Sequence, residues 1–147
     1  MHALLRRRLA RADRLYRDLL DVLTPEHLLS HLGELPSDTL GHQLWCVLGA
    51  RQSYVAAARA GAWQGFESPV APDTSDVGVL RDAFSRTAAD VDAWLGEMDA
   101  DDEDAASYAF ALLEHETQHH GQLIRYLYAL QIPRPVSWQQ QYALDEG

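Results

Sequence analysis

Residues 99–135 read DADDEDAASYAFALLEHETQHHGQLIRYLYALQIPRP, and this stretch decides the fold class. The acidic run from Asp99 to Asp104 favours a helix start through the helix dipole, while Pro133 and Pro135 bar continuation beyond Leu130. Between them no proline intervenes and the apolar residues keep helical spacing, so one long helix is predicted. Upstream, Val77, Leu80, Phe84, Ala88, Val91, Leu95 and Met98 make a second helical stripe, over Asp76–Met98. A third helix is predicted from the N-cap types Ser37 and Asp38 to Gly61, a natural C-terminal stop. In the first segment Leu5, Leu9, Ala12, Tyr16, Leu19 and Leu23 step by four and three, and Thr24 and Pro25 end that helix and open a short one closed by Gly33. The segment from Gly61 to Ser75, with Gly65, Pro69 and Pro72, is a long connection for a compact domain and is expected to act as a crossover or a lid. The expectation is an all-α fold, a four-helix bundle in one domain over 1–147 with the long loop between its second and third helices.

Of the 147 residues 47% are apolar, enough for one sizeable core. Net charge is −10, which disfavours nucleic acid as a partner, and no apolar run is long enough to span a bilayer. A lone cysteine makes no internal disulfide. Arg6, Arg7, Arg8, Arg11, Arg14 and Arg17 gather half of the 12 basic residues into the first 17 positions, yet Asp13, Asp18 and Asp21 interrupt any targeting pattern, so a cytoplasmic protein is expected. The arginines form a solvated face or meet an acidic partner surface, for which a second copy of the chain qualifies.

His115 and His119 lie four residues apart on one face of the predicted last helix and can share one metal ion. Their stripe, Leu112, His115, His119, Gln122 and Tyr126, is expected to face the core. A third ligand must come from another helix, and His42 is the candidate on the stripe His42, Trp45, Gly49, Gln52 and Ala56. Gly49 and Gly121 each cost about 1 kcal/mol of helix propensity, which is explicable where backbones approach or a cavity stays open beside the site. Three histidines with an open fourth position can activate water or capture a thiolate.

The stretch His115-Glu116-Thr117-Gln118-His119-His120-Gly121-Gln122, followed by Leu123, Ile124, Tyr126, Leu127 and Ile132-Pro133, resembles the signature of the DinB/YfiT-like metalloenzymes, in which two histidines four apart precede Gly-Gln. His42, after Leu40-Gly41, falls where that family has its first metal histidine. The resemblance follows the helix order along the whole chain. It implies a four-helix bundle with a crossover, commonly dimeric, holding nickel or zinc through His42, His115 and His119. It also implies thiol-dependent transferases, isomerases and amide hydrolases among the relatives. The chain departs from the family at His120, often arginine there, and at Glu116, where a small residue is common.

Glu116 also completes His-Glu-x-x-His, the short zinc-peptidase motif in which the glutamate is the general base. Such peptidases usually have a third ligand downstream and an edge strand, whereas only a tail containing Asp145 and Glu146 follows here and no strand is predicted. Glu116 also lies about 100° from His115 around the helix, so a solvated or ion-paired residue is expected. Cys46, four residues after His42, is expected to pack rather than to ligate or react. His27 and His31 are expected at the surface, and His120 outside the ligand set, as an outer group or an interface residue. Trp45, Trp63 and Phe66 are either core or the walls of a cleft, and Trp138 is expected to fold back onto the helices. Two functions follow as expectations. The first is a metal-dependent transferase or hydrolase acting with a small thiol or another small molecule. The second is a non-catalytic, stress-related dimeric metal protein that acts through a partner.

Overall fold

The computed structural model describes residues 2–146. They form six helices and no strand: α1 (His2–Leu20), α2 (Pro25–Leu28), α3 (Leu40–Ala60), α4 (Val77–Glu97), α5 (Glu103–Ala129) and α6 (Val136–Tyr142). None is long and apolar enough to cross a membrane. Side-chain caps fix the starts. Thr39 Oγ1 accepts from the His42 N–H, Asp76 from Gly78 and Val79, and Asp102 from Ala105. The α3 cap is thus Thr39 rather than Ser37 or Asp38. Those two are engaged elsewhere, Ser37 Oγ by the Leu32 N–H and the Asp38 carbonyl by the Tyr126 hydroxyl. Gly61 ends α3 at φ 74°, a left-handed conformation that a residue without Cβ adopts freely.

Pairings across the four long helices give their directions. Arg6–Asp92 and Arg81–Asp21 run α1 antiparallel to α4. Cys46 beside His115 and Gln43 beside His119 run α3 antiparallel to α5. Arg51 at Thr87 and Arg59 at Asp90 and Glu97 make α3 and α4 parallel, so the chain must travel back along the molecule between them. Residues 61–76 do this along α3. Phe66 covers Gly49, the Ser68 hydroxyl donates to the Trp45 carbonyl, and the Thr74 carbonyl sits 3.0 Å from where a Cβ on Gly41 would be. The loop is a crossover. Gly41 and Gly49 are required by close approach, whereas Gly121 is exposed with open space at its Cβ position, so no close approach accounts for it. A Cβ at Gly49 would meet Phe66 Cζ at 2.1 Å, so Gly49→Ala should expel the ring and release the crossover, seen as faster proteolysis within 61–75.

The core has two apolar halves. One gathers Tyr16, Leu19, Leu44, Phe84, Leu123 and Trp138 with their neighbours, and the other Leu5, Leu9, Val55, Val91, Leu95 and Leu112. Between them lies a buried polar layer of Asp13, Arg51, Thr87 and Glu116, one residue from each long helix. Trp138 does fold back, fully buried, with its indole N–H donating to the Leu15 carbonyl at 2.7 Å.

Candidate metal centre

Residues four apart on a helix share a face, and α5 presents His115 and His119 in this way toward α3. Their Nε2 atoms stand 3.3 Å apart, and Cys46 Sγ lies 3.6 Å from His115 Nε2. All three ligand atoms fall within 4.8 Å of one another. A tetrahedral zinc ion with bonds of about 2.05 Å to nitrogen and about 2.3 Å to sulfur would separate two nitrogens by about 3.3 Å and a nitrogen from the sulfur by about 3.6 Å. Both separations from His115 Nε2 match such an ion, and the third, between His119 and Cys46, lies within 4.8 Å.

The protonation states agree with this fit. His119 Nδ1–H donates to Gln43 Oε1 at 2.5 Å, which leaves the lone pair on Nε2, directed at the cluster. Burial lowers the His115 pKa, and burial together with the His115 charge lowers that of His119 to about 4, so both rings are neutral near pH 7. Burial, aided by Asp38, raises the Cys46 thiol, so a bound cation would have to displace its proton. His115 Nδ1 is buried without a hydrogen-bond partner.

His42, expected as the third ligand, is not part of this group. Its ring lies on Trp45, 4.6 Å between centroids, and its Nε2 is 3.7 Å from Asp38 with 34% of the side chain exposed. It stands one turn before Cys46 on the first turn of α3, at the level where α5 carries His119. Cys46, expected only to pack, is at ligand distance instead. The signal for it was its four-residue spacing from His42, the same spacing that singled out the α5 pair. Trp45 and Phe66 pack together at 4.9 Å beside His42, with Phe66 42% exposed, and form a wall at the edge of the site. Trp63 is exposed and touches Tyr54.

Two neighbours on α5 are buried. Of the two alternatives for Glu116, solvated or ion-paired, the structure has the second: it is 1% exposed, and Arg51, 2% exposed, donates to it from Nε at 2.5 Å and from a terminal nitrogen at 3.2 Å. Burial raises the Glu116 pKa against the opposing effect of Arg51, and both its oxygens are occupied by the guanidinium. The inward face of α5 runs through Leu112, Glu116, His119, His120, Leu123 and Tyr126, while Gln122 is exposed. His120 is fully buried between Tyr16, Trp138 and Tyr142, with Nδ1 2.7 Å from the Tyr142 hydroxyl. Its role is to seat α6. Burial and the Arg51 charge lower its pKa to about 3. The unfolded chain then binds a proton at His120 that the folded chain refuses, so stability falls as the pH drops through the ordinary imidazole range toward that value. Between pH 7 and 5 the metal-free protein should lose about 2 kcal/mol from this residue, and a His120→Phe variant should lack that part of the pH slope in thermal melts.

His27 and His31 serve local structure. His27 Nδ1 accepts from the Thr24 N–H in a capping box, and His31 Nδ1 meets the Ser37 carbonyl. A cavity of about 290 Å³ between α1 and α4 is floored by Asp13, Arg51 and Glu116, and none of the cluster residues lines it. Comparison with family models, with curated proteins and with solved structures gave no match to this chain.

Proposed function

We propose that the chain is a metal-dependent enzyme of the DinB/YfiT-like kind, a four-helix bundle with one zinc or nickel ion between α3 and α5. The observation that carries this is the convergence of His115 Nε2, His119 Nε2 and Cys46 Sγ within 4.8 Å of one another, with His115 at 3.3 Å from His119 and 3.6 Å from Cys46. His115 and His119 are the fixed pair, and α3 completes the set from His42, which the resemblance assigns, and Cys46, which the distances favour. Bound there, the ion would lower the pKa of a small thiol or a water at an open position and so supply a nucleophile for transfer or hydrolysis. The chain's own part is orientation and exclusion of water. Gln43 fixes the tautomer of His119, and Trp45 and Phe66 wall the approach past His42. Glu116 is held by Arg51 and is not free to act as the base of a peptidase.

Cys46 also favours a second reading. If His42 and Cys46 both bind, four protein ligands close the shell and the ion is structural, in a stress-related protein acting through a partner. Cobalt(II)-loaded protein distinguishes the two. A small thiol added to it should change the visible bands if a position is open, and bands indifferent to thiol would establish the closed site. A cytoplasmic location belongs to the same proposal, since it keeps Cys46 reduced.

A homodimer is proposed from α1, where Arg7, Arg8, Arg11 and Arg14 make no ion pair among the described residues while the chain as a whole carries −10. Light scattering at moderate salt should give twice the 16.5 kDa chain mass, and a monomer at every concentration would remove the claim.

A further inference from the structure

From α3, Arg51 reaches the three other long helices with a single side chain. It leaves α3 five residues after Cys46 and grips Glu116 of α5 with two parallel bonds, at 2.5 and 3.2 Å. The other terminal nitrogen donates to Asp13 of α1 at 2.8 Å, and lies 3.4 Å from Thr87 Oγ1 and 3.5 Å from the Phe84 carbonyl, both on α4. The guanidinium also faces the rings of Phe84 and Tyr16, 5.0 and 5.6 Å from their centroids. The Tyr16 hydroxyl in turn donates to the Glu116 carbonyl at 2.7 Å, so α5 is held at one residue through both its side chain and its backbone.

Apolar packing is non-directional and leaves neighbouring helices some freedom to slide and turn. A two-bond fork between a guanidinium and a carboxylate has no such freedom, because both bonds fail together on rotation. Glu116 follows His115 directly and precedes His119 by three residues. A slip of one residue on α5 is a rise of about 1.5 Å with a turn of about 100°, which would carry both imidazoles away from Cys46. Buried ion pairs are poor sources of net stability, and their best-attested use is to specify register.

We propose that Arg51 is the positioning residue of the metal centre: by clamping Glu116 and Asp13 it sets the rotation and height of α5 on α3 that bring His115 and His119 against Cys46. This rests on the proposed ligand set. The clamp itself is tested with or without an ion.

The test compares wild type with Arg51→Lys, which keeps the charge and loses the fork, and with an apolar layer carrying Asp13→Leu, Arg51→Met and Glu116→Leu together. Zinc affinity is measured by competition with a chromophoric chelator, and the ring nitrogen shifts of His119 are recorded in metal-free protein to read the Nδ1–H tautomer held by Gln43. Folding is followed by circular dichroism. Both variants should keep their helical signal while binding zinc about 10- to 100-fold more weakly, and should lose the single His119 tautomer. Wild-type affinity and an unchanged tautomer in folded Arg51→Lys would overturn the proposal, and so would the same result in the folded apolar variant. If the apolar variant does not fold, Arg51→Lys alone decides. If wild type binds no zinc, the metal reading fails, yet the tautomer comparison still decides for or against the clamp.

Discussion

His119→Ala takes bound zinc or nickel from one equivalent per chain to none, as elemental analysis after gel filtration should show. His119 supplies the Nε2 that faces His115 at 3.3 Å, and its other nitrogen is the one that Gln43 orients. Removing it costs the site one of the two donors that α5 supplies. His115→Ala should have the same result, because His115 Nε2 is the atom nearest both partners. His27→Ala and His31→Ala should retain the ion, since those rings cap and brace the connection between α1 and α3. Cys46→Ser and His42→Ala then rank the two α3 donors. A full equivalent retained in the His119 variant would place the site elsewhere and remove the proposed function with it.

Arg51→Met alone should destabilise the fold by about 3–5 kcal/mol, a fall in melting temperature on the order of 10 °C for a chain of this size. The reason is what remains. Asp13 and Glu116 are both buried, and without Arg51 the Glu116 carboxylate loses the cation that holds both its oxygens. Asp13 keeps Arg17, at 2.5 Å and half exposed, so Glu116 bears most of the loss. Denaturant melts of the metal-free protein measure this directly. A loss under about 1 kcal/mol would mean that water reaches the polar layer and that the ion pairs are surface-like.

The four long helices were legible because their apolar stripes are regular. Every residue of the α1 stripe from Leu5 to Leu23 is buried. The face of α5 was less legible. A stripe through His115 and Gln122 is reasonable when only apolar residues and histidines are counted inward, but the actual seam includes Glu116 and His120. A glutamate enters a core only with a cation to receive it, and that cation, Arg51, is 65 residues away. On α3 the same omission shifted the face toward Gln52 and Ala56, whereas Leu44, Val47, Leu48, Arg51 and Val55 are the buried ones. Two of the three residues of the candidate centre were visible in the spacing of His115 and His119. The placement of Cys46 at ligand distance, with His42 turned toward Asp38, depends on the pairing of α3 with α5, which local spacing does not determine.

The crossover along α3 has a consequence for how fast the chain acquires its structure. Helical proteins built from successive hairpins fold quickly because each contact closes a short loop. Here the partners of α1 on α4 lie 60 to 86 residues away, and Cys46 and His115 are 69 apart. Ordering these contacts means closing long loops before much apolar surface is buried, so the refolding rate in stopped-flow should fall below that of an up-and-down arrangement of the same length.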